Sequence, residues 1–277
     1  MAKMTIQKLK NMKVKKEKIS MTTAYDYPTA YFVDKAGIEI ILVGDSLAMT
    51  IMGLDSTVPV TIEQMIHHTK AVVKGAPTPL IVGDLPFGSY NVSKEQAIIN
   101  SNRLMKEGGC DVVKLEGGEE VAHIVKAIVD SGTPVMGHIG LTPQTVSKLG
   151  GFKVQGKSVK AAKKILDDAR VLEEAGAFAL ILECIPENIG KLVTDKVSIP
   201  TIGIGGGRFC DGQVLVFHDM LGLFEKFVPK FVKKYAELGV EIVEGLEKFK
   251  NEVKDGSFPS DGHVFKGVSE EELKRLY

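Results

Sequence analysis

The feature that most constrains this chain is a unit that repeats along nearly its whole length. Each unit begins with a short apolar run that ends in Gly, Asp or Pro, and continues through a stretch with helical spacing. The runs are continuous rather than alternating, which is typical of parallel strands covered on both faces. There are eight of them: Ile19–Asp26, Ile38–Ser46, Thr78–Pro86, Cys110–Gly118, Thr133–Thr142, Ala177–Pro186, Ile199–Gly207 and Gln213–Met220.

Eight strand-then-helix units in 277 residues predict an α/β fold, a (β/α)8 TIM barrel that forms a single domain over residues 1–277. An open, doubly wound sheet is the alternative, but it more often has a glycine fingerprint after its first strand. The glycine-rich run at 203–207 comes late in the chain and out of that register. We therefore interpret this run as a barrel loop rather than a dinucleotide site.

The two ends of the chain differ from the repeated units. Residues 1–18 contain seven lysines and few apolar residues, which predicts a solvated arm or a short helix that caps the barrel. The pattern over Pro229–Lys254 predicts a long helix, and residues 255–277 form a polar tail that ends in a short helix.

Charge and cysteine usage exclude several classes of function. Lys plus Arg and Asp plus Glu both number 35, so the net charge is zero, which argues against a nucleic-acid partner. Cys110, Cys184 and Cys210 cannot all pair and have no zinc-like spacing, which indicates free thiols in the reducing cytoplasm. No apolar run approaches the roughly 18 residues of a membrane span, so we expect no membrane partner.

Polar residues stand at the ends of the predicted strands, where a TIM barrel keeps its chemistry. Burying a charged group there is costly unless it is paired or bound to a metal. These residues are Asp26, Asp45, Ser46, Asp84, Lys114, Glu116, His138 and Glu183.

Three of these acids, Asp45, Asp84 and Glu116, come from successive strands and are expected to converge. Converging carboxylates suit a hard divalent cation such as Mg²⁺, which prefers oxygen ligands. Lys114 is two residues before Glu116 on one strand, so both side chains point to the same side. The alternative for each acid is a helix cap or a salt bridge.

Glu183 stands apart because apolar residues surround it in sequence. Such neighbours raise a carboxyl pKa, which suits a general base, although a salt bridge with Lys114 or another cation is the alternative. His67, His68 and His123 fall within predicted helices and favour surface or packing roles, whereas His218 falls within the last predicted strand and is left open.

At these same residues the chain resembles the ketopantoate hydroxymethyltransferase family, of the phosphoenolpyruvate/pyruvate superfamily. The likeness runs from about residue 3 to residue 265. The matching segments are TTAYDYPTA at 22–30, VGDSLAMTIMGLDSTVPVT at 43–61, GDLPFGSY at 83–90, VKLEGG at 113–118, MGHIGLTPQ at 136–144, GGFKVQG at 150–156, LEEAGAFALILECIP at 172–186 and CDGQVLVFHDMLG at 210–222.

The resemblance implies one Mg²⁺ per subunit, held by Asp45, Asp84 and Glu116. It implies that Asp45, Ser46, Asp84 and Lys114 bind the 2-oxo acid and that His138 lines the pocket. It also implies Glu183 as the proton acceptor and a homo-oligomer, commonly a decamer of two pentameric rings.

The implied reaction transfers a hydroxymethyl group from 5,10-methylenetetrahydrofolate to 3-methyl-2-oxobutanoate through an enolate, giving 2-dehydropantoate (ketopantoate) for pantothenate and coenzyme A synthesis. One rival is a Mg²⁺-dependent 2-oxo-acid lyase or mutase of the same superfamily that needs no folate. A second is a barrel kept as an assembly or binding subunit after losing its chemistry. A third idea is phosphate recognition by the loop at 205–208.

The chain departs from the family pattern at three places, two single residues and one run of three. Ala48 stands where Gly is usual, and Leu54 stands where His or Tyr is frequent. Gly206, Gly207 and Arg208 replace Ala-Gly-Pro, and we expect this last change to alter the loop near the folate entrance.

Overall fold

Eight parallel strands close into a barrel in the order in which they occur along the chain, and β1 pairs with both β2 and β8. The structure, a computed structural model, describes residues 2–226 and 228–277, except for the side chain of Leu149. This closure confirms the predicted TIM barrel and excludes the open sheet. The strands are β1 Ile19–Thr23, β2 Ile40–Val43, β3 Leu80–Asp84, β4 Val112–Glu116, β5 Val135–Gly140, β6 Ala179–Glu183, β7 Thr201–Ile204 and β8 Gly212–Leu215.

Helices connect the strands, and several of them begin at a residue whose side chain caps the first turn. Thr61 and Gln64 form a reciprocal capping box, and the hydroxyls of Ser93 and Ser158 each accept a hydrogen bond from the first helical turn. The helices are α1 Ile6–Lys15, α2 Tyr27–Lys35, α3 Leu47–Thr50, α4 Ile62–Gly75, α5 Lys94–Arg103, α6 Ala122–Asp130, α7 Val146–Leu149, α8 Val159–Glu174, α9 Glu187–Lys196, α10 Phe217–Met220, α11 Leu238–Asp255 and α12 Glu270–Leu273.

The continuous apolar runs fill two separate layers of core. On β2, Ile40 and Leu42 face the barrel interior, whereas Ile41 and Val43 pack against the surrounding helices. Because successive side chains of a strand alternate between its faces, a strand covered on both sides needs apolar residues at every position. None of the helices in the described part of the chain has the length and apolar character that crossing a membrane requires.

Helix α1 closes the N-terminal end of the barrel. Leu9 is 0% exposed and belongs to the interior layer of the core. The ammonium of Lys13 lies 2.7 Å from the carboxylate of Asp211, directly before β8, and the Met4 amide donates to the Thr78 carbonyl before β3. Of the predicted arm at 1–18, Met1 lies outside the described residues.

Two predicted elements after β7 have different bounds in the structure. Strand β8 ends at Leu215, so His218 lies in α10 and not in the last strand. The long helix begins at Leu238 rather than at Pro229. The Tyr235 and Leu238 amides donate to carbonyls at 220 and 221, so this segment bonds to the loop after β8 instead of forming a helix.

Candidate active site

A cavity of about 410 Å³ opens at the C-terminal ends of the strands. Of the eight polar residues predicted at strand ends, seven line this cavity: Asp45, Ser46, Asp84, Lys114, Glu116, His138 and Glu183. Asp26 is not among its lining residues. Its carboxylate caps α2 by accepting a hydrogen bond from the Thr29 amide over 2.8 Å, so the helix-cap alternative holds for this acid.

Lys114 lies at the floor of the cavity among the predicted metal ligands. Its ammonium is 2.8 Å from Oδ1 of Asp84 and 3.7 Å from Oε1 of Glu116, and all three side chains are buried. The pair on β4 points to one side, as the two-residue spacing predicts. Burial alone lowers the pKa of Lys114, but Asp84, Glu116 and Asp45 raise it above its ordinary value, so the ammonium stays charged.

The floor carries more negative than positive charge. Burial, followed by the charges of Asp84 and Glu116, raises the pKa of Asp45 well above its ordinary value. Burial also raises the pKa of Glu116 to about 8, although Lys114 opposes that shift. One ammonium therefore faces three buried carboxylates, and the excess charge requires protons or a cation.

The donor chemistry of the floor fits Mg²⁺, since three carboxylates offer oxygen ligands to a hard cation. The three side chains are not already arranged as a cage: no group of three His, Cys, Asp or Glu side chains within the described residues has that geometry. The Asp84 oxygen that faces Lys114 is held by the ammonium, and Oδ2 of Asp84 accepts the Asp45 amide over 3.1 Å.

His138 lies between two carboxylates near this floor. Its Nε2 atom is 3.2 Å from Oε2 of Glu183, and its Nδ1 atom is 3.5 Å from Oε1 of Glu116. Neither ring nitrogen makes a hydrogen bond of good geometry with the described residues. Burial and then Lys114 lower the pKa of His138 well below its ordinary value, so the ring is neutral. Its two nitrogens can form hydrogen bonds with a ligand.

Glu183 extends from the end of β6 into the same cavity. Burial raises the pKa of its carboxyl to about 8, while the charge of Lys114 partly opposes the shift. Within the described residues, Lys114 pairs with Asp84 and Glu116, whereas Glu183 lies beyond ion-pair distance of it. A carboxyl poised near neutral pH suits a general base.

The sequence analysis did not single out Gln144 and Tyr90, which hold the floor in place. The Gln144 amide donates to Oε2 of Glu116 over 3.0 Å, and Nε2 donates to Oδ2 of Asp45 over 3.0 Å. The Tyr90 hydroxyl donates to Oε1 of Gln144 over 2.7 Å. Gln144 ends the segment MGHIGLTPQ, but neutral residues in loops give no charge or periodicity signal that marks such contacts.

Tyr25 supports the remaining predicted substrate ligand. Its hydroxyl lies 2.7 Å from Oγ of Ser46, and its ring stacks on His218 at 5.4 Å between centroids. His218 is therefore a packing residue in α10. His68 is also outside the site, because its Nδ1 contacts the Tyr25 carbonyl at 2.7 Å.

The positions that depart from the family pattern are not among the described residues that line the cavity. Arg208 is 79% exposed, and its Nε atom is 3.0 Å from Oε2 of Glu187. The described lining of the cavity includes none of Gly206, Gly207 and Arg208, and the effect of this change on the folate entrance stays a prediction. The guanidinium already has a carboxylate partner, which also argues against phosphate recognition by this loop. Ala48 is buried in the outer core.

The geometry can be compared with known proteins. The family described as "Ketopantoate hydroxymethyltransferase" matches residues 3–261. The chain belongs to the ketopantoate hydroxymethyltransferase family. It is therefore an enzyme of the transferase class. Family membership supports hydroxymethyl transfer in pantothenate biosynthesis and confirms the resemblance seen in the sequence.

Relatives of this ketopantoate hydroxymethyltransferase family member match over its whole length. The 3-methyl-2-oxobutanoate hydroxymethyltransferase of Heliobacterium modesticaldum is 56% identical over 275 residues, which cover 99% of each chain. Its name gives the acceptor substrate of that relative.

Solved structures share the fold at much lower identity. A 2,3-dimethylmalate lyase of the PEP mutase/isocitrate lyase superfamily has a TM-score of 0.60 at 13% identity, covering 98% of this chain and 94% of the lyase. A phosphonopyruvate hydrolase in complex with oxalate and Mg²⁺ has a TM-score of 0.58 at 13% identity, covering 100% of this chain and 95% of the hydrolase. At this identity the likeness concerns the barrel alone.

Proposed function

We propose that this chain transfers a hydroxymethyl group from 5,10-methylenetetrahydrofolate to 3-methyl-2-oxobutanoate, giving 2-dehydropantoate, with one Mg²⁺ per subunit. Water is consumed and tetrahydrofolate is released. The observation that carries the proposal is the placement of three buried carboxylates, one ammonium and one carboxyl of raised pKa around a single cavity.

Asp45, Asp84 and Glu116 are the residues that would hold the cation. The raised pKa values of Asp45 and Glu116 support this assignment, because burial and then the neighbouring carboxylates disfavour their charged forms, and a divalent cation would favour them. When bound, the cation would polarise the carbonyl of the 2-oxo acid and so acidify the hydrogen on C3.

Lys114, Ser46 and His138 would bind and orient the 2-oxo acid. The buried ammonium of Lys114 offsets the negative charge of the substrate carboxylate, and the Ser46 hydroxyl, fixed by Tyr25, offers a further hydrogen bond. His138 is neutral, and its unsatisfied ring nitrogens offer a donor and an acceptor without adding charge.

Glu183 would remove the proton from C3. Its carboxyl lies in the cavity, and a pKa of about 8 matches a base that works near neutral pH. The resulting enolate forms the new carbon–carbon bond to the methylene carbon of the cosubstrate. Both bonds from that carbon to the folate nitrogens break, water supplies the hydroxyl oxygen, and the nitrogens leave protonated as tetrahydrofolate.

An assay for 2-dehydropantoate tests the proposal. The purified protein receives 3-methyl-2-oxobutanoate with Mg²⁺, with and without 5,10-methylenetetrahydrofolate, and then with EDTA. We expect product only when folate and metal are both present. Turnover of a 2-oxo acid without folate would instead support the lyase or mutase rival, and no turnover with either would support a barrel without chemistry.

We also propose that the protein works in the cytoplasm as a homo-oligomer, a decamer as the family resemblance implies. Helix α11 supports self-association, because it has no buried residue and exposes an apolar face. The free thiols of Cys110, Cys184 and Cys210 suit a reducing compartment. Light scattering on the purified protein measures the subunit number, and a monomer at micromolar concentration would contradict the assembly.

A further inference from the structure

An unpaired carboxylate, that of Asp219, lies in the wall of the active-site cavity on the β8 side. It follows β8 in the short helix α10 and is only 9% exposed. No cation lies within ion-pair distance of it, and no donor hydrogen-bonds its oxygens, within the part of the chain that the structure describes. Burial raises its pKa to about 6.

A largely buried carboxylate that faces a cavity and has no donor from the described residues is a candidate to accept hydrogen bonds from a ligand. The 2-oxo acid is a poor candidate, because its own carboxylate would meet a like charge at Asp219. It also has its cationic partner at Lys114 on the cavity floor. The ligand that suits Asp219 is instead a neutral group with two adjacent N–H donors on one edge.

Aromatic side chains also line the cavity. Phe152, Phe224 and Phe231 come from the loops after β5 and β8. The Phe224 amide donates to the His218 carbonyl over 3.2 Å, which holds this residue beside α10. The Phe231 ring packs on Gly205 so closely that a Cβ atom there would lie 2.7 Å from Cδ1 of the ring. Three aromatic side chains in the lining suit a ligand with a flat ring.

Two lysines, each next to one of these aromatic residues in the sequence, also line the cavity. Lys153 and Lys230 line the cavity and are exposed, and neither belongs to an ion pair among the described residues. Their neighbours Phe152 and Phe231 are the aromatic residues named above. A ligand with a flat ring near Asp219 and carboxylates at its outer end would match both groups.

We propose that Asp219, the three phenylalanines and the two lysines form the subsite for the folate cosubstrate. The Asp219 carboxylate accepts hydrogen bonds from N3–H and the 2-amino group of the reduced pterin, and the phenylalanines flank its ring. Lys153 and Lys230 attract the carboxylates of the glutamate tail. This inference rests on the proposed function, since it assigns residues to the second substrate of that reaction.

The central test is Asp219→Asn, which replaces one acceptor oxygen with a donor that faces the pterin donors. We expect the KM for 5,10-methylenetetrahydrofolate to rise by about tenfold to one-hundredfold, the range for losing hydrogen bonds to a charged group. In the same variant, the rate of folate-independent exchange of the C3 hydrogen should fall much less. We expect the fold-decrease in that rate to be at least about tenfold smaller than the fold-increase in KM for folate. The matched control is Asp195→Asn on α9, an exposed carboxylate paired with Lys191.

A second measurement on the unaltered protein does not depend on how the variant folds. Calorimetry with Mg²⁺ and 3-methyl-2-oxobutanoate present compares tetrahydrofolate with its 2-desamino analogue. We expect the unaltered protein to bind tetrahydrofolate about tenfold more tightly, and Asp219→Asn to lose that preference. Equal binding of the two by the unaltered protein would overturn the assignment of Asp219.

The lysines are tested by the length of the folate tail. In the unaltered protein we expect tetrahydrofolate with three glutamates to bind more tightly than the monoglutamate. We expect the double variant Lys153→Gln, Lys230→Gln to reduce that preference at least about threefold at low ionic strength. An unchanged preference would remove the lysines from the subsite.

The outcomes separate this inference from the reaction itself. If the unaltered protein makes 2-dehydropantoate from folate and Asp219→Asn has an unchanged KM for folate, the subsite is wrong and the proposed function stands. If the unaltered protein exchanges the C3 hydrogen but makes no product with folate, the proposed function fails, and the subsite fails with it.

Discussion

The side-chain amide of Gln144 donates a hydrogen bond to Oδ2 of Asp45 over 3.0 Å. This contact joins the loop after β5 to the end of β2 on the far side of β3 and β4. The backbone amide of Gln144 also donates a hydrogen bond to Oε2 of Glu116, so one residue fixes two of the three proposed metal ligands.

Gln144→Leu removes the side-chain donor from Asp45 and keeps a similar volume. We expect the Mg²⁺ dissociation constant, measured by calorimetry with 3-methyl-2-oxobutanoate present, to rise by about tenfold. The exposed Gln7→Leu on α1 is the control and should leave the constant as it is. Unaltered Mg²⁺ binding by the Gln144 variant would show that the contact does not position the ligands.

Glu183→Gln tests the proposed base with almost no change in shape. In D₂O with Mg²⁺ and no folate, we expect exchange of the C3 hydrogen of 3-methyl-2-oxobutanoate to fall by at least about one-hundredfold. Proton NMR follows the exchange directly. The control Glu247→Gln changes an exposed carboxylate of α11. Exchange at the normal rate in the Glu183 variant would assign the proton transfer to another group.

The raised pKa of Glu183 predicts how stability depends on pH. Its carboxyl has a pKa of about 8 in the folded chain, against 4.5 as its ordinary value. The folded state therefore holds the proton more tightly, so its contribution to stability is complete below 4.5 and is lost as pH rises through about 8. Without metal, we expect urea unfolding to show a free energy at least about 1 kcal/mol lower at pH 8 than at pH 5. Glu183→Gln should weaken this dependence, and an equally steep profile in that variant would place the proton elsewhere.

Gly205→Ala tests the aromatic wall of the cavity. The new methyl group would meet the Phe231 ring at 2.7 Å and displace it, so we expect the KM for 5,10-methylenetetrahydrofolate to rise at least about fivefold. Gly53→Ala is a matched control, because Gly53 has a similar φ of 69° against 66° but no atom near the added Cβ. Both variants place an alanine at a positive φ and share the cost of that backbone conformation. The difference in KM between them therefore measures the effect of displacing the Phe231 ring.

Leu9→Ala tests how firmly α1 caps the barrel. Leu9 is fully buried in the interior layer, so we expect a loss of about 2–5 kcal/mol in the free energy of unfolding. Val14→Ala on the same helix changes a side chain that is 82% exposed and should cost less than about 0.5 kcal/mol. Denaturant titration measures both, and equal losses would mean that α1 packs only weakly.

The sequence predicted the barrel and its site best where an apolar run ends in a charged residue. Continuous apolar runs predicted the strands, and the polar residue after each run predicted where Asp45, Asp84, Glu116 and Glu183 meet, because parallel strands end at one edge. Asp219 gave no such signal, since the apolar residues before it extended the predicted last strand beyond Leu215 to include it. Gln144 could not be predicted either, because its partners lie just after β2 and at the end of β4 and are brought to it only by closure of the barrel.

The cap that α1 places over the lower end of the barrel leaves the mouth as the route to the catalytic floor. In the proposed arrangement, the 2-oxo acid would occupy that floor, and the folate would lie above it against Asp219 and the phenylalanines. A compulsory order of binding follows: the keto acid enters first, and tetrahydrofolate departs before 2-dehydropantoate. Folate that binds first would block the route of the keto acid to the floor. Excess cosubstrate should therefore inhibit the enzyme at low keto acid concentration.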